Sequence, residues 1–100
     1  MTKEELISNL IQVAHEEVSK HNCYFSDEAD AQLKELVTAG VDRMSLQDRY
    51  NNERIATAQN NMRYLCIKVC EETKKENHLI VENRTFSSTR WSICPLWPFC

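Results

Sequence analysis

Apolar residues recur three and four positions apart from the start of the chain. Leu6, Ile7, Leu10, Ile11, Ala14 and Val18 keep the period of one helix face, which predicts a helix over 3–20. Thr2 stands where a cap belongs and Glu5 follows three residues later, the spacing of a capping box. Glu4 and Glu5 suit the positive end of the helix dipole, and Lys20 suits the negative end. "KHNCYF" (20–25) breaks the period and reads as a loop.

Ala29, Leu33, Leu36, Val37 and Val41 form a second stripe, predicting a helix over 27–40 capped by Ser26 or Asp27. Gly40, the chain's single glycine, is expected to end that helix in the left-handed conformation. A third helix is predicted over 46–75, starting at Ser45 with Asp48 three residues on. Its seam is Ile55, Ala58, Met62, Leu65 and Val69, spaced to meet another helix. Asn51 and Asn52 are weak helix formers and mark a candidate kink or break. After "EETKKEN" the pattern changes, and "HLIVENRTF" reads as an extended segment or one strand. "SSTR" is polar loop, and the last nine residues, "SICPLWPFC", are the most apolar stretch of the chain.

The expected fold is therefore all-α: one small domain over 1–100, with three helices and an extended C-terminal segment over 77–100. Composition agrees. The chain is 42% hydrophobic and 27% charged, which places it among globular rather than disordered proteins. One glycine and two prolines are too few for the turns of an all-β chain.

The formal charge of −3 disfavours a general nucleic-acid coat, which needs clustered Lys and Arg. Acids dominate the first forty residues and bases gain ground afterwards. "MTKEELISNL" lacks the basic start and apolar core of a signal peptide. No apolar run approaches the roughly 18 residues of a membrane span. The expected compartment is the cytoplasm, where the Asn83-Arg84-Thr85 sequon has no glycosylating enzyme to meet. There the five cysteines are expected as free thiols.

Cys66 and Cys70 lie four apart on the third predicted helix and share a face. With Cys94 and Cys100 they make a candidate four-thiolate zinc set, with His21 and Cys23 as an alternative source of ligands. The spacing is not that of a zinc finger, and the two thiols also extend an apolar face, so core packing is the expected role and no metal is assigned. Cys94 and Cys100 could close a ring around Pro95 and Pro98, a bond the cytoplasmic thiol pool would reduce. Nucleophile elbow, phosphate loop and HExxH motif are all absent from the sequence, and the Glu pairs at 4/5, 16/17 and 71/72 diverge around their helices. No catalytic residue and no cofactor is assigned.

"LVTAGVDRMSLQDRYNNERI" resembles the middle of a helix-turn-helix over about twenty residues. In that reading Gly40-Val41 forms the turn, Leu46 is buried, and Arg43, Gln47, Arg49 and Asn51 face base edges. Leu36 and Arg49 depart from the small and apolar residues such a motif prefers at their positions. The third helix also offers a polar side where Arg49, Arg54 and Arg63 mix with Gln47, Gln59, Asn51, Asn52, Asn60 and Asn61, read as a solvated face or a recognition face.

Trp91, Ile93, Leu96, Trp97 and Phe99 crowd the last ten residues, and side chains of this kind gain about 1.5–3 kcal/mol each on full burial. Pro95 and Pro98 forbid an ordinary helix there and stiffen an extended chain. Either the segment seals a thin core or it inserts into a groove on another protein. The sequence reading is a non-enzymatic accessory factor or inhibitor, of the kind carried by phages and mobile elements, that docks on a larger host or cognate protein. Its partner-binding residues are then Trp91, Ile93, Leu96, Trp97 and Phe99, with no small-molecule substrate and no membrane. A helix-turn-helix regulator is the first alternative. A precursor peptide is the second, with Thr85, Ser87, Ser88, Thr89 and Ser92 preceding Cys94 and Cys100.

Overall fold

The computed structural model describes residues 2–77, 79–82 and 84–85. Among these residues, the elements follow in the order α1 (Lys3–Lys20), β1 (Tyr24–Phe25), α2 (Asp27–Asp42), α3 (Leu46–Arg49), α4 (Asn52–Lys75) and β2 (Ile80–Val81). The protein is a small all-α domain, its two strands contributing two residues each.

Each helix starts on a side-chain cap. Thr2 Oγ1 accepts from the Glu5 N–H (3.2 Å), Ser26 Oγ from Ala29 (3.2 Å) and Ser45 Oγ from Asp48 (3.1 Å). Asn51 Oδ1 accepts from both Glu53 and Arg54 (3.0 and 3.3 Å). These caps satisfy N–H groups that the first turn leaves without partners. The Asn51 cap also corrects the expectation of one helix over 46–75. It closes a one-turn α3 and opens α4, so the candidate break is a real boundary at Tyr50 and Asn51.

Gly40 does not end α2. The helix runs on to Asp42, and no glycine has positive φ. The reason is burial: Ala29, Leu33, Val37, Gly40 and Val41 form one buried stripe that needs the extra turn. Asp42 then reaches Lys3 at 3.1 Å, holding the end of α2 beside the start of α1.

Left-handed residues do end two other helices, and both are asparagines: Asn22 after α1 and Asn77 after α4, each with φ 61°. Behind α1 the bonds form a complete Schellman pair, Cys23 N–H to Val18 C=O (2.9 Å) and Asn22 N–H to Ser19 C=O (3.0 Å). Behind α4, Asn77 N–H reaches Lys74 C=O at 3.0 Å. Asparagine tolerates this conformation better than any other residue with a Cβ except aspartate. Replacing Asn22 by Val is expected to destabilise the domain by about 1–2 kcal/mol, while Gly is expected to be neutral or better. Urea unfolding of the two variants checks this.

The helices pack through their predicted stripes. Leu6, Leu10, Val13, Ala14 and Val18 of α1 meet Ala58, Met62, Leu65, Cys66, Val69 and Cys70 of α4 and the α2 stripe in one buried cluster. Ile7, Ile11, Leu36 and Ile55, placed on the stripes by spacing, are only partly buried at its margin. Pairings fix the directions. His15 and Asp30, like Lys3 and Asp42, make α2 antiparallel to α1. Gln59 donates to Asn9 Oδ1 (2.7 Å) near the starts of α4 and α1, and Cys70 meets Cys23 near their ends, so these two helices run parallel. Their exits therefore emerge together, and β1 pairs with β2 in parallel, Tyr24 against Ile80 and Phe25 against Val81. The stretch read as a plain loop, "KHNCYF", thus contains a strand, because a neighbour distant in sequence offers it a partner.

Candidate functional site

The paired exits build the most distinctive surface among the described residues. Successive strand residues point to opposite faces. Phe25 and Val81 turn inward and are buried, while Tyr24 and Ile80 turn outward and are 57% and 40% exposed. Leu79, which precedes Ile80, is 56% exposed. A shallow depression lined by Ser26, Glu28, Ile80, Glu82 and Arg84 flanks this face. Arg84 is engaged there by Glu76 (3.3 Å) and Glu82 (3.9 Å), and Thr85 Oγ1 donates to Glu76 (3.4 Å).

The floor under the strands is polar in parts. The His15 ring meets Phe25 edge-on, with centroids 5.3 Å apart. His15 Nε2 lies 2.7 Å from Asp30 Oδ1, and Lys34 lies 3.2 Å from the other oxygen. Partial burial alone would raise the Asp30 pKa, but the His15 and Lys34 hydrogen bonds and charges outweigh it and hold the carboxyl below its usual value.

Three thiols cluster where α4 meets the exit of α1. Cys23, Cys66 and Cys70 are free and buried, with the Cys23 Sγ donating to the His21 carbonyl oxygen at 3.6 Å. Burial, then the neighbouring Cys70 and Glu17, pushes the Cys66 thiol well up. Burial, then Cys23 by charge and hydrogen bond, pushes Cys70 up to about 12; Glu17 adds to this and Lys74 opposes it. Such thiols are held as neutral SH groups and behave as small apolar side chains. His21 turns its ring to Glu17 (3.2 Å) rather than to a thiol. Among the described residues no group of three or more His, Cys, Asp or Glu is placed to hold a metal ion. Cys94 and Cys100, the other half of the candidate zinc set, lie outside the described residues.

The base-reading set is dispersed. Arg43 is the C-cap of α2, Gln47 and Arg49 belong to the one-turn α3, and Asn51 spends its side chain capping α4. Gly40 and Val41 are helical rather than a turn, and Leu46, expected to be buried, is 63% exposed. These four residues do not lie on one helix, because Ser45 and Asn51 each cap a new helix within the stretch. The polar side of α4 is divided as well: Gln59 joins α4 to α1, and Arg63 donates to Asn60 at 3.0 Å within α4.

Trp91, Ile93, Leu96, Trp97 and Phe99 lie outside the described residues. Tyr24, Leu79 and Ile80 escaped the sequence reading. Their signal was short β-branched and aromatic runs just after a helix-ending asparagine at two places in the chain, and only the parallel course of α1 and α4 joins the two places. Among the described residues no helix is long and apolar enough to cross a membrane. Comparison of the chain with protein-family models, curated proteins and solved structures found no match.

Proposed function

We propose that this chain is a non-enzymatic protein-binding module, an accessory factor or inhibitor that docks on a larger protein. One observation supports the reading above others. Tyr24 and Ile80 are cross-strand partners and both stand exposed, with Leu79, also exposed, next to Ile80 in the chain, at the pole from which the chain continues into residues 86–100. Contiguous exposed apolar side chains mark interaction surfaces. The continuing segment carries Trp91, Ile93, Leu96, Trp97 and Phe99, and aromatic anchors dominate binding energy in protein interfaces. In this reading Trp97 and Phe99 enter a pocket of the partner, and Pro95 and Pro98 reduce the entropy lost on docking.

Affinity capture with the full chain tests this, followed by affinity measurement on the captured partner. Changing Trp97 and Phe99 together to Ala is expected to weaken binding by roughly 30-fold or more, the effect of losing one hot spot of about 2 kcal/mol. Helical circular dichroism is expected to stay unchanged. Undiminished binding by that variant and by a Tyr24→Ser variant would overturn the reading.

A further inference from the structure

We propose that the outer edge of β2, with the Tyr24–Ile80 face beside it, accepts an extended segment of the partner protein as a third strand. The segment is apolar at alternate positions and carries Lys or Arg at its ends. This rests on the protein-binding reading above and names what the described surface takes.

The backbone carries the first part. Tyr24 N–H donates to Leu79 C=O (3.1 Å) and Ser26 N–H donates to Val81 C=O (2.9 Å). In a parallel ladder bonded this way, Leu79 and Val81 face β1, and the residue between them turns its own N–H and C=O to the opposite side. That residue is Ile80. Among the described residues the sheet has only β1 and β2, so the far edge of β2 has no neighbouring strand. An open edge is a template for an added strand, with main-chain bonds giving affinity and alternate side chains giving choice.

Side chains carry the second part. A strand laid beside Ile80 places every other residue over the outward face, next to the exposed Ile80 side chain, with its cross-strand partner Tyr24 continuing the same face beyond it. Native edges are commonly blocked by lysine, proline or a bulge; here the edge residue is an exposed isoleucine.

Charge selects the occupant. The depression flanking this face is lined by Glu28 and Glu82, and its single base, Arg84, is already engaged by Glu82 and Glu76. Asp27 opens α2 immediately after the Ser26 cap. Basic ends on the incoming segment complement this rim. A second copy of the chain would set the same acidic rim against itself, which disfavours edge-to-edge self-pairing.

The test uses the full-length, isotope-labelled chain and a defined probe. The probe is a capped seven-residue peptide of alternating valine and threonine with a lysine at each end; its counterpart has glutamates instead. Amide shifts at Tyr24, Leu79, Ile80 and Val81 are expected on adding the lysine peptide, with hydrogen exchange at Ile80 slowed at least tenfold at saturation. The glutamate peptide is expected to bind at least fivefold more weakly, and raising salt is expected to weaken the lysine peptide. Ile80→Pro removes the edge N–H and should abolish binding. Because proline could disturb β2 itself, Ile80→Glu serves as the second variant: its side chain faces solvent, so the helical signal should persist while binding falls at least tenfold.

Shifts that map elsewhere overturn the proposal, as does equal binding of the two peptides. Binding that appears only after removal of residues 86–100 overturns it too, since the edge would then be filled by the chain itself. So does concentration-dependent dimerisation abolished by Ile80→Glu. If Ile80→Glu leaves partner capture intact while the Trp97 and Phe99 changes abolish it, this proposal falls and the protein-binding reading stands. If neither set of changes affects capture, both fall.

Discussion

Truncating Leu65 to alanine is expected to lower the unfolding free energy by about 2–5 kcal/mol. Leu65 is among the largest fully buried side chains, on the α4 stripe between Met62 and Val69. The deletion removes its transfer free energy and leaves a cavity between α4 and α1, where the close packing of Met62, Cys66 and the α1 stripe limits collapse. Small domains have only about 5–15 kcal/mol of net stability, so the variant should lose a large share of it. Each kcal/mol lost should lower the midpoint temperature by about 4–8 °C. In urea the midpoint should fall while the slope stays constant, the signature of changed stability rather than changed compactness. Leu79→Ala is the control. It removes an equally large side chain that is more than half exposed, and its effect should remain within about 0.5 kcal/mol. A Leu65→Ala loss no greater than the control's would mean that the α1–α4 seam is not the main packing surface.

The helical framework was legible because local rules and tertiary packing agree there. The α1, α2 and α4 stripes were placed by spacing alone, and Thr2, Ser26 and Ser45 cap where their residue types indicate. Gly40 misled because a glycine near a helix end suits a left-handed stop as well as a buried position in a stripe. Local sequence does not distinguish these; the packing beneath it does. The left-handed positions went instead to Asn22 and Asn77, residues whose side chains fit many other roles. The expected turn at Gly40-Val41 and the expected burial of Leu46 were misplaced by the same kind of ambiguity. Leu46 has the spacing of a buried residue, yet Ser45 and Asn51 cap successive helices on either side of it and leave α3 a single turn. The Tyr24–Ile80 face was hidden for a different reason. Its halves are separated by most of the chain, and nothing local to "CYF" or "LIV" states that α1 and α4 run parallel. The Asn9–Gln59 bond records that register in the structure, but in the sequence it is two polar residues on two polar-looking helix margins. Cys66 and Cys70 read correctly as core, while their approach to Cys23 and Glu17 required the same parallel arrangement.

Stability is expected to fall steeply above about pH 9, and the thiols at this junction are the reason. In the unfolded chain a cysteine ionises near pH 8.5. In the fold, burial carries Cys66 well above that value and Cys70 to about 12. Below the unfolded value both states keep their protons, and the stability associated with these groups is fully present. Between the unfolded value and the folded one, only the unfolded chain gives up protons, so rising pH favours unfolding. The slope approaches about 1.4 kcal/mol per pH unit for each thiol that stays protonated in the fold, and for Cys70 the window closes near pH 12. Urea unfolding at intervals from pH 7 to pH 10.5 measures the slope directly. A Cys66→Ala/Cys70→Ala variant will be less stable at every pH because of the small cavities it creates, so its absolute stability decides nothing; its slope above pH 9 does, and it should be markedly shallower. The same protonation predicts chemistry. At pH 8.5 a disulfide reagent should modify Cys66 and Cys70 in the native chain at least 100-fold more slowly than in urea, because the thiolate is the reacting form. Equal alkaline slopes for the variant and the parent, or Cys66 and Cys70 thiols that react at the unfolded rate, would show that these two thiols are not sealed between α1 and α4, and would overturn the parallel packing on which the β1–β2 pairing rests.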